Sequence, residues 1–443
     1  MKYAFLFIGI AALLLSGPVL AKGMNKRRLD AEISAIANDR SAPLASISVL
    51  AIRHGKVVYQ HQAGYRSMAG LLPANSHTLY RVASISKLVT SLAVMRLVEQ
   101  GLLDLDADVS TVLGYVLRNP HFPAQPITLR QLLSHTSSLR DDAGYNFDDK
   151  VALRDVLLPD GAQYGKGEAW ASDHGPGYFS YVNLNWGVIA TLMERVTGER
   201  FDRLMQRLIL SPMGLRGGYN PAEFAAQDVQ DIATLYRKRI VREGQEIWQP
   251  EGPWIVQTDD YTQTPPAVRA SAAYVPGTNG TLFGPHGSLR ISAAGLGQIM
   301  LMLMQDGRLA GQQILQPASI TAMFSEQWRN DGHDGNGYSE RRSMNAFGLG
   351  NQHFLDIAGN RTGDRLVEDG GFIAKGHMGD AWGLTSAFVF DAQRKNGMIF
   401  LVGGPGFDPQ TTPGKYSAKY RYEERILDSL YRGALPRVMT GHH

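Results

Sequence analysis

The chain of 443 residues contains no cysteine. That excludes disulfides, thiolate metal sites, a cysteine nucleophile and a lipidated N-terminal cysteine. Charge of one sign is also scarce. Lys and Arg number 44 against 41 Asp and Glu, a net +3 with His neutral, and no basic block stands out. Nothing therefore points to nucleic acid. No long apolar run follows the N-terminus, so the mature chain is expected to have no stable membrane insertion. H-E-x-x-H and G-x-S-x-G are both missing, which leaves a zinc-protease helix and an α/β-hydrolase elbow unsupported. What the chain does have is ordinary globular composition, 44% hydrophobic and 19% charged, enough to bury a large core. Its 48 glycines suit a loop-rich enzyme.

The N-terminus reads as an export signal. Lys2 gives the positive start, Tyr3 to Leu15 the short apolar run, and Val19-Leu20-Ala21 the small residues a signal peptidase reads. Cleavage is expected after Ala21, giving residues 1–21 as signal and 22–443 as one domain, periplasmic or secreted.

Periodicity outlines the rest. Leu29–Asn38 reads as a helix, and Ala45–Arg53 with Lys56–Ala63 as a hairpin turning at His54-Gly55. An amphipathic helix opens at Ala83 and ends at Gly101. Further helices are expected at Thr128–Leu133, Asn185–Val196 and Phe201–Leu210, and a closing one over Tyr420–Leu435. Leu384–Asp391 and Met398–Val402 read as late strands. Gln245–Tyr274 shows no clear period and is expected to be a long surface excursion. Polar, Gly-rich Asn330–Asn345 is the expected mobile loop. The sum is an α+β fold: one sheet built from both termini (about 25–83 and 285–437) and an inserted, mainly helical part (about 84–284).

Three segments carry chemistry. Ser84-Ile85-Ser86-Lys87 is an S-x-x-K at a helix start. Residues i and i+3 share a helix face, so Lys87 can reach the Ser84 hydroxyl, which needs a base to become a nucleophile. Lys serves as that base only when neutral, which burial favours. Ser86 faces away and reads as structural. Tyr181-Val182-Asn183 offers a phenol able to move protons beside a cation, and an amide able to donate and accept. His377-Met378-Gly379-Asp380 lies in a Gly-rich stretch whose backbone can approach a ligand closely. Alone, it reads as a turn before the strand at Leu384. His135 beside Ser134 reads as a structural histidine in a helix-ending turn. Trp382 suits a cleft wall or packing equally. Asp331–Asn336 has the wrong spacing for a calcium loop.

Taken together and in order, these segments resemble the serine β-lactamase and penicillin-binding protein superfamily, on the branch of class C β-lactamases, DD-peptidases and family VIII esterases. Tyr80–Lys87 looks like its nucleophile segment, and Leu132–Leu139 like its L-L-x-H-T-S-G-L landmark with Ser138 for Gly. Pro176–Asn183 looks like P-G-x-x-x-Y-x-N, Gly284–Ser292 like the opening of its late helix, and Gly376–Asp380 like its third catalytic element. The resemblance implies a β-lactamase/transpeptidase-like fold with no metal or cofactor. It implies Ser84 as acylated nucleophile, Lys87 as base and Tyr181 as proton relay. Asn183 would orient the substrate, His377 would line the site, and an oxyanion hole would use the backbone N–H groups of Ser84 and Asp380 beside Gly379. Where class C enzymes carry Lys in K-T-G, this chain has His377, charged only part of the time near neutral pH. The implied activity shifts accordingly towards peptidoglycan-type D-amino acid peptides or small carboxylic esters. A class C-like β-lactamase, and a slowly acylating penicillin-recognising sensor, are the alternatives.

Overall fold

The computed structural model describes residues 25–435; the expected signal segment lies outside the described residues. Nine strands form one antiparallel sheet. They are β1 (Ser46–Arg53), β2 (Lys56–Ser67), β3 (Leu72–Pro73), β4 (Trp328–Arg329), β5 (Ala346–Phe347), β6 (Gln352–Phe354), β7 (Ala374–Ala381), β8 (Leu384–Asp391) and β9 (Asn396–Val402). Their spatial order is β4-β5-β6-β7-β8-β9-β1-β2-β3, so the two ends of the chain meet where β9 pairs with β1. The β1–β2 turn falls at His54-Gly55, where both residues take positive φ (50° and 72°), as a tight two-residue hairpin turn demands.

Helices cover both faces of the sheet. α1 (Lys26–Ala37) and the closing α6 (Arg421–Ala434) pack on one; α5 (Ala293–Met304) packs on the other, where α2 (Ile85–Glu99) reaches β7 and β8. The strands show this in their alternation. Ile47, Val49 and Ala51 of β1 join the core under α1 and α6, while Leu50 and Ile52 join the core under α5 and α2. That second core runs without a break through α2 into the helical part, where α3 (Leu129–Leu133) and α4 (Leu184–Thr197) lie. Thr128 caps α3 with a reciprocal capping box to Gln131, and Gly198 ends α4 in the left-handed region (φ 67°).

Four sequence expectations change. α2 is not amphipathic: it is buried from Ile85 to Met95 on every side, and its polar residues bond inward. Ser86 Oγ accepts from Leu289 N–H (3.1 Å) and Ser91 Oγ donates to the Lys87 carbonyl (3.0 Å). A helix apolar all round is a central helix. The middle of the chain also holds strands. Arg239–Arg242 and Gln245–Trp248 form a hairpin, and Ile255–Thr258 pairs with Leu235–Arg237. This hairpin stands off the core, so it lacks the apolar alternation that marks buried strands. Asn330–Asn345 is pinned rather than loose: Gly337-Tyr338 pairs with Phe179-Ser180, and Asn336 ties Arg329, Trp328 and Phe179 together. Finally, Gly376–Asp380 lies inside an eight-residue interior strand, β7. The turn comes only at Trp382-Gly383, both at positive φ (57° and 96°).

Candidate active site

Ser84 caps α2. Its hydroxyl makes no capping bond, so it is left free for chemistry. The preceding Ala83 is held at φ 48°, a conformation a non-glycine residue seldom adopts, and its carbonyl accepts from Ser86 N–H (2.9 Å). This tight turn presents Ser84, which is half-buried, while Lys87 one turn on has no exposure at all.

Lys87 Nζ lies 3.0 Å from Ser84 Oγ. It donates to Asn183 Oδ1 (2.8 Å) and to the His286 carbonyl (3.0 Å). Neither of those oxygens can donate, so both consume hydrogens of the amine. A neutral amine has two hydrogens and one lone pair; with both hydrogens committed, the lone pair faces Ser84. Burial supplies the neutrality. It lowers the Lys87 pKa from 10.5 to about 7, opposed by the charge of Asp141.

Asp141 fixes this geometry and had no signal in the sequence reading. Its carboxylate accepts from the backbone N–H of Asn183 and Leu184 and from Asn183 Nδ2, each at 2.9 Å. A carboxylate only accepts, so the Asn183 NH2 must face Asp141 and Oδ1 must face Lys87. Within the protein, the Asn183 amide orients Lys87 through Oδ1 and spends one Nδ2 hydrogen on Asp141. Asp141 caps the N-terminus of α4 from about 40 residues upstream, so no local pattern marked it.

Tyr181 stands over the pair, with Lys87 Nζ 4.9 Å from its ring centroid. Burial raises the phenol pKa, and the interaction with the Ser84 hydroxyl only partly opposes this. Tyr181 therefore rests protonated, as a donor. His135 backs it, the two rings stacked at 4.3 Å, and His135 Nδ1 accepts from Val182 N–H (2.9 Å). Burial holds His135 neutral, first through desolvation and then through Lys87. It positions Tyr181 and forms no pair with Ser134, whose hydroxyl bonds the Arg130 carbonyl (2.8 Å).

β7 closes the site. An added Cβ on Gly379 would come 2.4 Å from Ser386 Oγ, 2.7 Å from the Val82 carbonyl and 3.1 Å from Ala83 Cβ. Glycine is thus required for β7 to lie against the segment leading to Ser84. Two residues back on the same face, His377 sits 6.1 Å from Tyr181 and 6.0 Å from Phe347 between ring centroids. It is 1% exposed, so it shapes the wall from behind. Its Nδ1 is 2.5 Å from the Met378 carbonyl and must carry the hydrogen, leaving Nε2 a buried acceptor without a partner. Desolvation, then Lys87, lowers its pKa to about 3. The expected part-time charge is therefore absent: His377 is neutral throughout the physiological range. Asp380 follows, paired in register with Thr385; its half-exposed side chain lies 3.9 Å from Arg237. Trp382 is largely exposed at the hairpin tip, 5.8 Å from the Arg81 guanidinium.

The structure thus gathers Ser84, Lys87, Tyr181, Asn183, His377 and Gly379 from α2, the α4 entry and β7. Among the described residues no group of three His, Asp or Glu is placed to hold a metal.

Penicillin-binding protein 4* of Bacillus subtilis (strain 168) is 30% identical over 178 residues, 38% of this chain and 36% of that protein. Esterase EstB of Burkholderia gladioli is 28% identical over 240 residues, 51% of this chain and 59% of its own length. The matched stretches therefore span about a third to three fifths of these curated relatives. In fold, the hydrolase EstCE1, described as having promiscuous acyltransferase activity, superposes with a TM-score of 0.59 at 22% identity, covering 91% of this chain and 98% of that one. An octameric penicillin-binding protein homologue from Pyrococcus abyssi gives 0.58 at 22% identity, covering 86% and 74%. Residues 33–418 match the Beta-lactamase family, and the chain belongs to that family of serine hydrolases of β-lactamase, penicillin-binding protein and esterase type.

Proposed function

We propose that the protein is an exported hydrolase that forms an acyl-enzyme on Ser84 and cleaves small carboxylic esters or the amide bonds of D-amino acid peptides. The observation that carries this is the fully buried Lys87 amine, 3.0 Å from Ser84 Oγ and held by Asn183 Oδ1 and the His286 carbonyl.

The steps balance. Neutral Lys87 takes the Ser84 proton as Oγ bonds to the substrate carbonyl carbon. The oxyanion that forms is met by the backbone N–H groups of Ser84, at a helix N-terminus, and Asp380. Protonated Tyr181 gives its proton to the leaving oxygen or nitrogen as that bond breaks, and regains one from the Lys87 ammonium. In the second half, water attacks the ester carbonyl as Tyr181 passes its own proton to neutral Lys87 and takes one from the water, and the Lys87 ammonium then returns a proton to Ser84 Oγ as that bond breaks. A neutral His377 places no cation on that wall of the site.

The test is one activity panel on wild type and Ser84→Ala with 4-nitrophenyl butyrate, a D-Ala-D-Ala peptide and a chromogenic cephalosporin. The expected result is turnover of the ester or the peptide, lost in Ser84→Ala. Full activity in Ser84→Ala contradicts the proposal. Preferential cephalosporin turnover favours the β-lactamase alternative, and stoichiometric labelling without turnover favours the sensor.

A further inference from the structure

A serine, a histidine and an aspartate meet where α1 packs on β2, on the sheet face that holds α1 and α6. Asp30 and Ser34 are four residues apart on α1, so they share one helix face. His61 reaches them from β2. It pairs in register with Val49, whose side chain lies in the core under α1, and so points the same way. His61 Nε2 lies 2.9 Å from Ser34 Oγ, and Nδ1 lies 3.4 Å from Asp30 Oδ1.

A carboxylate only accepts, so Nδ1 carries the ring hydrogen and the Nε2 lone pair takes the Ser34 O–H. Asp30 Oδ1 is buried and has no closer hydrogen bond among the described residues, which leaves the imidazole to satisfy it. A serine inside a helix commonly returns its hydroxyl to the carbonyl four residues back; Ser34 gives its own to His61. Burial lowers the His61 pKa, with Asp30 opposing and Lys26 adding, so the ring is a free base at neutral pH. The trio is open to water: the His61 and Asp30 side chains are 21% and 33% exposed, and Ser34 is half-buried.

A hydroxyl, a base in contact with it and an acid behind the base is the order of groups that activates a serine. One part is missing. The backbone N–H groups around Ser34 are spent inside α1, so the helix offers no oxyanion hole. Such a nucleophile needs an acyl group with a good leaving group, and it keeps what it takes.

We propose that Ser34 is a second nucleophile, acylated once by activated acyl donors such as aryl esters, with His61 as its base and Asp30 holding His61. Ser34 Oγ bonds to the acyl carbon, the aryloxide leaves with the electron pair of the broken bond, and the Ser34 proton passes to His61 Nε2 and on to solvent. This site is separate from Ser84 and does not depend on the hydrolase reading.

The test uses Ser84→Ala protein, which lacks the first nucleophile, with excess 4-nitrophenyl acetate. The expected result is a burst of about one equivalent of 4-nitrophenolate without turnover, and an acetyl group that peptide mass spectrometry places on Ser34. Adding Ser34→Ala abolishes the burst. Adding His61→Gln slows it about 10²-fold or more, and Asp30→Asn about tenfold. No acetyl group on Ser34, or acetylation of Ser34 at an unchanged rate in His61→Gln, overturns the proposal. Should His61→Gln fail to fold, Ser41 is the internal control in the Ser84→Ala protein: an exposed serine whose hydroxyl bonds a carboxylate, Asp39 (2.7 Å), rather than a histidine. Acetylation of Ser34 about tenfold or more ahead of Ser41 supports the proposal, and a smaller lead overturns it.

Discussion

Lys87 and His377 are two buried bases at opposite ends of one site, and burial lowers both their pKa values. They end in different places. Lys87 on α2 has two acceptors fixed around it and an acid, Asp141, behind one of them, and it titrates near 7. His377 on β7 has one carbonyl, aromatic neighbours and a cation rather than an anion within influence, and it falls to about 3. Desolvation sets the direction; the charge of the partner sets whether the group stops in a working range. One base is poised to exchange a proton at neutral pH, and the other is fixed as a neutral acceptor.

The sharpest way to break this contrast is to remove the poised base. Lys87→Met should lower kcat/KM on the order of 10³-fold or more, read with 4-nitrophenyl butyrate. It should also change stability. The unfolded chain keeps the Lys87 proton up to about 10.5 and the folded chain only up to about 7, so between these values the unfolded state binds more protons. Wild-type stability relative to Lys87→Met should therefore rise with pH across that window, by up to about 5 kcal/mol. Denaturant melts at pH 7 and 10 measure it.

Tyr181→Phe keeps the ring over Lys87 and the stack on His135 but removes the proton donor. A loss of about 10²-fold or more in kcat is expected, with little change in melting temperature. Asp141→Asn tests the partner directly. Asp141 raises the Lys87 pKa, so its removal should move the acid limb of kcat/KM below 7, with activity at pH 7 reduced about tenfold through misplacement of Asn183. Gly379→Ala perturbs the contact between the two ends. Its Cβ meets the Val82 carbonyl and Ser386, so a destabilisation of about 1–3 kcal/mol is expected in thermal or denaturant unfolding. The smallest effect belongs to His377→Asn, which should leave the acid limb unmoved because His377 carries no charge there.

Much of this was legible in the sequence. The hairpin at His54-Gly55, the strand Leu384–Asp391, the closing helix and the S-x-x-K face all rest on local periodicity, which a single chain displays. The sheet order was not legible, since β9 meets β1 across more than 300 residues of chain. The strand character of Gly376–Asp380 was hidden because glycines that permit close approach also look like turn residues. Asp141 was missed for a similar reason: nothing local distinguishes a loop aspartate that caps a helix beginning more than 40 residues later. The neutral state of His377 depends on what burial places around it, which no motif states.

The central claim is that Lys87, and not a histidine, is the base that activates Ser84. The most direct measurement is the pH dependence of kcat/KM for 4-nitrophenyl butyrate from pH 5 to 9, in wild type and His377→Asn. The account predicts a single acid limb with an apparent pKa of about 7, identical in the two proteins. A limb near 6 that disappears in His377→Asn would contradict it.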